Sequence, residues 1–232
     1  MQPKKCLSDC YYLSHSRCVN GLVTNSGQVC FASSRVYVQE GIYDKFIAAY
    51  HKAFEAKQKA VGDPEAEGTE LGPVVDKAQY DRILKIIGCA QSEEQGTLLV
   101  GGRPVGSKGY YIEPTIFLDP KPDASIYKDE IFGPVAVVNK FKTEKEVLEK
   151  ANDSRYGLMA GVFTENINRA LRVSSAFDSG VVGINCISTI HFSCPFGGTK
   201  ESGLGRELGV NGMQAYTEPK TVLINMNYGG AE

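Results

Sequence analysis

The apolar positions of this chain repeat with two different periods, which predict strands alternating with helices. Arg35 to Val38 has the pattern of a short buried strand, and apolar residues from Ile42 to Phe54 then recur at helical spacing. Asp76 and Thr143 are predicted N-caps of two further helices, and a third contains Ile167 and Leu171. The other predicted strands are 97–100, 110–118 with an interruption at Pro114, 135–141, 158–164 and 181–185.

This alternation predicts the fold class. Strands separated by helices of this length form βαβ units, so we expect an α/β fold with an open, mainly parallel sheet and helices on both faces. No internal repeat or low-complexity linker divides the chain. We therefore expect one α/β domain with an irregular segment at each end.

Composition and charge narrow the class of protein further. The chain has 232 residues, of which 42% are hydrophobic and 22% are charged, with a formal net charge of −2. Such a balance is typical of globular proteins and supplies no basic surface for nucleic acid. The apolar runs are too short to span a bilayer, and the start of the chain does not resemble a secretion signal. We expect a cytoplasmic protein without nucleic-acid or membrane partners.

The seven cysteines favour reduced thiols over a disulfide framework, since their number is odd and the chain is long. Cys6, Cys10 and Cys18 cluster near the start, with His15 among them, and could be drawn as a zinc site. Their spacing matches none of the common zinc patterns. We expect an irregular tail there and no metal.

Cys30 is the main candidate for chemistry. A thiolate that attacks a carbonyl carbon needs hydrogen-bond donors for the oxygen that becomes negative. Asn25 and Gln28 could donate such bonds, Gly27 permits close backbone approach, and a helix beginning after Cys30 would add N–H groups. The alternative is a small cysteine buried in the core.

Two loops that follow predicted strands are the other candidates, because ligands of open parallel sheets bind at the carboxyl ends of strands. Glu130 and Phe132 lie on a turn suited to hydrogen-bonding a ribose and packing on a flat ring. The loop from Asn185 to Gly198 carries His191 and Phe192, which could line a pocket. A capped turn and ordinary core packing are the structural alternatives.

Taken together, these segments resemble the aldehyde dehydrogenase family in order and spacing, over roughly residues 17 to 228. The segment around Cys30, Asn25-x-Gly27-Gln28-x-Cys30-x-Ala32-x-x-Arg35, is similar to the nucleophile motif of the family. The other similar motifs are Gly72-Pro73-Val74-Val75-Asp76, Gly109-Tyr110-Tyr111-Ile112, Glu130-Ile131-Phe132-Gly133-Pro134, Tyr156-Gly157-Leu158, Pro195-Phe196-Gly197-Gly198 and Tyr216-Thr217-Glu218.

The resemblance implies a role for each candidate residue. Cys30 matches the thiol that forms a thiohemiacetal, and its backbone N–H matches half of the oxyanion hole. Glu130 and Phe132 match the residues that hold the nicotinamide ribose and ring. Asn185 and Phe192 would border the substrate channel, with His191 in the same loop. Gly183 stands where the family usually has an aromatic residue, which predicts a wider or repacked pocket.

The resemblance also implies the domain organisation. Residues 17–215 correspond to the catalytic domain of the family and residues 216–232 to its oligomerisation strand and tail, whereas residues 1–16 match nothing. The family's nucleotide-binding domain, oxyanion-hole asparagine and general-base glutamate precede the cysteine by more residues than stand before Cys30, so we expect a truncated form. The glycine-rich run from Gly203 to Gly209 lacks the context of a dinucleotide fingerprint. We therefore expect no required cofactor, with NAD possible only by resemblance.

Two functions remain open on this evidence. The first is an enzyme whose thiol adds to an aldehyde or another small carbonyl substrate, either with weak oxidation or esterase activity or in a non-redox isomerisation, condensation or cyclisation. The second is a non-catalytic family remnant that associates with itself, as a homodimer, or with a full-length relative. That association would use an exposed strand near Lys220 to Asn227, since exposed strand edges pair.

Overall fold

A computed structural model describes residues 6–226, with the side chains of residues 14–226. The helices are α1 Cys6–Val23, α2 Tyr43–Gln58, α3 Lys77–Ser92, α4 Ser125–Lys128, α5 Glu144–Asn152, α6 Ile167–Ala176 and α7 Gly209–Met213. The strands are β1 Arg35–Gln39, β2 Thr97–Val100, β3 Thr115–Leu118, β4 Val135–Phe141, β5 Tyr156–Gly157, β6 Met159–Val162, β7 Val181–Ile184 and β8 Thr199–Lys200.

A four-stranded sheet in the order β1-β4-β3-β2 forms the centre of the fold. The β1, β4 and β3 strands are parallel, and β2 joins the edge of β3 in the antiparallel direction. Two smaller sheets accompany it, the parallel pair β6-β7 and the antiparallel pair β5-β8. The predicted α/β class with an open, mainly parallel sheet is therefore confirmed, with the addition that the sheet is mixed.

Side chains alternate between the two faces of this sheet, and each face is covered by helices. On β4, Ala136 and Val138 belong to the core formed with α1 and α2, and Val135 and Val137 belong to the core formed with α3 and α4. Val135 and Val138 are fully buried. A strand covered on both faces has a nearly continuous apolar sequence, which explains why the periodicity located β4 correctly.

Both predicted helix caps are present. The Asp76 carboxylate accepts a hydrogen bond from the backbone N–H of Gln79 at 2.8 Å, and α3 begins at the next residue. The Thr143 hydroxyl accepts from the N–H of Glu146 at 3.2 Å. The strand predicted for residues 110–118 is shorter, since β3 begins only after Pro114, which has no N–H to donate to a neighbouring strand.

The expectation of an irregular segment over residues 1–16 is wrong for the part that the structure describes, because α1 begins at Cys6. The stretch from Lys4 to Asn20 contains no glycine or proline that would interrupt a helix. Val19 and Leu22, near the end of α1, are buried in one core with Tyr50 of α2. This packing stabilises a helix that local pattern alone does not predict.

The zinc candidate receives no support from the described side chains. The side chains of Cys6 and Cys10 lie outside the described residues. Cys18 is buried, and its burial raises the pKa of the thiol to about 12. Over residues 14–226 no three metal-ligating side chains come together.

Of the helices that the structure describes, none combines the length and apolar composition that crossing a membrane requires. Residues 217–226 have no regular secondary structure, and the apolar side chains of Val222, Leu223, Ile224 and Met226 are exposed. The strand predicted near Lys220 is thus not formed in the part of this segment that the structure describes; Asn227 lies outside the described residues.

Candidate functional site

Cys30 lies in a tight turn between α1 and β1 and is exposed. The carbonyl of Val29 accepts a hydrogen bond from the N–H of Ala32 at 3.0 Å, so Cys30 and Phe31 occupy the centre of the turn. The alternative of a buried core cysteine is excluded. The chain continues from this turn into the predicted strand β1 at Arg35, so the helix start considered as a source of donors is not formed there. The dipole of a following helix therefore does not act on the sulfur.

The backbone N–H of Cys30 is available as a donor. Among residues 6–226 it donates a hydrogen bond to no backbone or side-chain acceptor. A free N–H next to an exposed sulfur is the arrangement that an oxyanion needs when a thiol adds to a carbonyl carbon.

Asn25 and Gln28 bond to each other's backbone and so shape the turn that precedes Cys30. Asn25 Nδ2 donates to the carbonyl of Gln28 at 3.1 Å, and Gln28 Nε2 donates to the carbonyl of Asn25 at 3.0 Å. The two amides proposed as donors to a substrate are thus already engaged. Between them the backbone is left-handed at Asn25, Ser26 and Gly27, with φ values of 51°, 56° and 76°. That conformation costs on the order of 1 kcal/mol for each residue other than glycine.

Side chains of helix α3 donate hydrogen bonds to the backbone of the turn that carries Glu130 and Phe132. Gln79 Nε2 donates to the carbonyl of Phe132 at 2.8 Å. The Arg82 guanidinium donates to the carbonyl of Ile131 at 2.7 Å and also to that of Glu130. Glu130 and Phe132 are left exposed, and Phe132 has a left-handed φ of 56°. Both candidate side chains therefore point away from the core on a tethered turn.

The nucleophile turn and the Glu130 turn are in direct contact. A Cβ atom added to Gly27 would lie 2.1 Å from the carbonyl carbon and oxygen of Gly133. Real Cβ atoms essentially never approach that closely, so only glycine allows this packing. The structure thus brings together two of the three segments that the sequence selected.

The third segment, the loop after β7, also reaches the nucleophile turn. Ser188 Oγ donates to the carbonyl of Phe31 at 3.1 Å, and the rings of Phe31 and Phe196 pack edge to face with centroids 5.9 Å apart. Within this loop Phe192 is 83% exposed, and His191 is exposed with Nδ1 accepting from Ser193 N–H at 3.4 Å. The loop therefore meets the turn through Ser188 and Phe196, which the sequence did not single out.

Asn185 has a structural role that the sequence did not indicate. Its Oδ1 accepts from the N–H of Thr164 at 2.8 Å, and its Nδ2 donates to the carbonyl of Thr164 at 3.0 Å. This pair of bonds extends the β6-β7 pairing beyond Ile184. At Gly183 a Cβ would lie 2.2 Å from the carbonyl oxygen of Cys186, so the place of an aromatic side chain is filled by backbone.

The residues present fit a dinucleotide only in part. Glu130 and Phe132 supply an exposed carboxylate and an exposed ring on one turn, which are the residue types that could meet one end of such a cofactor. The glycine-rich run from Gly203 to Gly209 precedes only the five-residue helix α7, and its chain is closed by paired bonds between Phe196 and Glu207. A phosphate cradle needs a strand, a glycine turn and a long helix in sequence. That run does not supply one.

Comparison with known proteins finds aldehyde dehydrogenases both among the family models and among similar sequences. The family model described as "Aldehyde dehydrogenase family" matches residues 13–222. An aldehyde dehydrogenase of Agaricus bisporus is 48% identical over 209 residues, which are 90% of this chain and 41% of the relative. Retinal dehydrogenase 2 of Gallus gallus is 47% identical over 206 residues, covering 89% of this chain and 39% of the relative.

Solved structures agree with the sequence matches. The NAD+ complex of aldehyde dehydrogenase from Bacillus cereus superposes with a TM-score of 0.88 at 40% identity. The match covers 93% of this chain and 43% of that one. The chain thus spans about two fifths of the length of the relatives it matches.

Proposed function

This chain belongs to the aldehyde dehydrogenase family, and on that premise we propose that Cys30 is a nucleophile that adds to the carbonyl carbon of an aldehyde. In this step a bond forms between Cys30 Sγ and the carbonyl carbon. The π electrons of the C=O bond move to the oxygen, which receives a proton equivalent to the one the thiol loses. The product is a thiohemiacetal, and the step needs no oxidant.

The observation that carries the proposal is the exposed sulfur of Cys30 beside its own backbone N–H, which donates a hydrogen bond to no described acceptor. The growing charge on oxygen would be stabilised by this N–H, because a preorganised donor costs no rearrangement during the reaction. Removing one such donor in other enzymes typically costs about 10²–10³ in rate. The contacts with Gly133 and Phe196 support the role of the turn as part of a site.

Competition between an aldehyde and a thiol reagent tests the proposal. We expect iodoacetamide to modify Cys30 quickly, and millimolar propanal to slow that modification in a saturable way. Cys194 is also exposed and serves as the reference thiol in the same molecule. A Cys30 that reacts no faster than Cys194 and is not protected by propanal would refute the role.

No step is routed through NAD in this proposal, because the residues present fit only part of a dinucleotide. In the family named by the match such a cofactor would supply a hydride acceptor. Glu130 and Phe132 are the residues that would meet it here. A saturable calorimetric titration that is lost in Glu130→Ala would establish binding, whereas a flat titration at millimolar NAD would exclude it. Conversion of the thiohemiacetal by a non-redox isomerisation, condensation or cyclisation is compatible with the same first step.

Self-association is the second candidate function. It is supported by residues 221–226, a segment with high strand propensity whose side chains of Leu223 and Met226 are 91% and 85% exposed. We propose that this segment adds as a strand to a second copy of the chain, giving a homodimer. The expected result is a dimer that becomes monomeric when residues 220–232 are deleted. A monomeric intact protein at micromolar concentration would remove this function.

A further inference from the structure

One segment of the chain, residues 72–82, holds both turns of the candidate site; we call it the bracket. On the side of the nucleophile turn, Ser26 Oγ donates to the carbonyl of Gly72 at 2.7 Å. The backbone N–H of Val75 donates to Gln28 Oε1 at 2.8 Å. Gln28 therefore bonds to Asn25 through its nitrogen and to the bracket through its oxygen.

On the side of the Glu130 turn, the bracket supplies Gln79 and Arg82 from the first two turns of α3. Their side chains donate to the carbonyls of three consecutive residues, Glu130, Ile131 and Phe132. The Arg82 bonds come from a charged donor, and such bonds are roughly twice as strong as neutral ones.

The bracket itself is anchored in the core. Val74 is buried, and its N–H donates to the carbonyl of Tyr110 at 2.9 Å. The Asp76 side chain fixes the start of α3, and the fully buried Ile83 follows the bracket directly. Ile83 lies against Gly133, since a Cβ on that glycine would approach Ile83 Cδ1 to 2.5 Å.

Backbone strain on both sides shows why tethers are needed. Asn25, Ser26 and Phe132 all have positive φ, and none of them is glycine. Left-handed residues of this kind persist only where surrounding contacts over-determine them, and they cluster at functional sites. Here the contacts that hold Ser26 and Phe132 come from the same eleven-residue segment.

We propose that Gln28 and Arg82 are positioning residues, which act through the bracket to fix Cys30 against the Glu130 turn. This inference rests on the proposed function of Cys30. Arg82 shapes the Glu130 turn, the Gly133 end of that turn packs on Gly27, and Gly27 stands three residues before Cys30. Removing the hydrogen bonds of Arg82 is therefore expected to change the reactivity of the Cys30 thiol, although the structure shows no contact between the two side chains.

The test measures alkylation of each cysteine separately, by mass spectrometry of peptides, in wild type and in Gln28→Ala, Arg82→Ala and Arg82→Lys. We expect Cys30 to react at least about fivefold more slowly in the two alanine variants, since small misplacements of reacting groups cost up to about 10²-fold. Arg82→Lys keeps a charged donor and is expected to recover part of the rate. Lys85→Ala is the matched control, because Lys85 is an exposed cation on the same helix.

Two other cysteines separate positioning from general loosening. Buried Cys18 reports on opening of the core, and exposed Cys194 reports on reagent access. The inference requires both of their rates to stay at wild-type values while that of Cys30 falls. A rise at Cys18 together with the change at Cys30 would show global destabilisation and overturn it.

The outcomes also distinguish this inference from the proposed function. A reactive, propanal-protected Cys30 that is unchanged in Gln28→Ala and Arg82→Ala overturns the positioning role and leaves the nucleophile intact. An unreactive Cys30 in wild type overturns both. If Arg82→Ala does not fold, the Gln28→Ala and Arg82→Lys variants decide between the same outcomes.

Discussion

The contact between Gly27 and the Glu130 turn makes Gly27→Ala the most revealing single substitution. The added methyl group would lie 2.1 Å from the carbonyl carbon and oxygen of Gly133 and 2.5 Å from Pro134 N. These are backbone atoms, which cannot rotate away as the end of a flexible side chain can. The two turns must therefore separate for the alanine to fit.

The structure gives the size of this effect. Alanine at the left-handed φ of 76° costs about 1 kcal/mol relative to glycine. Overpacking against rigid neighbours costs typically about 1–3 kcal/mol more. Relieving the contact to a normal carbon separation needs a movement of about 1 Å or more, given an optimum of roughly 3.5–4.0 Å. We expect a total loss of about 2–4 kcal/mol in the free energy of unfolding, together with slower alkylation of Cys30.

Equilibrium unfolding in urea measures the loss, and Gly68→Ala is the control. Gly68 has a similar φ of 85° but no heavy atom within 4 Å of its added Cβ, so it carries the backbone cost without the steric one. We expect Gly68→Ala to lose only about 1 kcal/mol. Equal losses for the two variants, or an unchanged Cys30 in Gly27→Ala, would refute the packing argument.

Two further predictions concern Asn185 and the carboxylate of Glu146. Asn185→Ala removes two hydrogen bonds to Thr164 and is expected to cost about 1–3 kcal/mol in urea unfolding; a loss no larger than that of exposed Asn211→Ala would show that these bonds do not stabilise the β6-β7 pair. The Lys150 side chain, followed by the backbone N–H of Lys142, lowers the pKa of Glu146 from its ordinary 4.5 to about 2. A carboxylate whose pKa is lower in the folded protein than in the unfolded chain stabilises the protein above the unfolded-state pKa, and this stabilisation is lost as pH falls through the folded-state pKa. The stability difference between wild type and Glu146→Gln is therefore expected to shrink from pH 5 to pH 2. A pH-independent difference for Glu146→Gln would contradict the assignment.

The parts of the fold that the sequence predicts are those with a local cause. Buried strands such as β4 are nearly continuous apolar runs, and Asp76 and Thr143 bond to N–H groups three residues away. The local pattern does not predict helix α1, because its stability comes from packing against Tyr50 of α2.

The candidate site is predictable to the same extent. The order of the motifs predicts Cys30, Glu130 and the loop after β7 as candidates, and the three segments are in contact in the structure. The tethers do not appear in any motif, because Arg82 bonds to backbone carbonyls 48 and 49 positions later in the chain. Backbone carbonyls exist at every residue, so only the fold shows which of them an arginine reaches.

The formation of a bond between Cys30 and an aldehyde is the central claim, and carbon-13 NMR tests it most directly. Propanal labelled at its carbonyl carbon is mixed with the protein and with its Cys30→Ala and Cys194→Ala variants. We predict a new protein-bound tetrahedral-carbon resonance in wild type and in Cys194→Ala, and none in Cys30→Ala. A resonance that survives in Cys30→Ala, or that is missing from wild type at saturating aldehyde, would contradict the account.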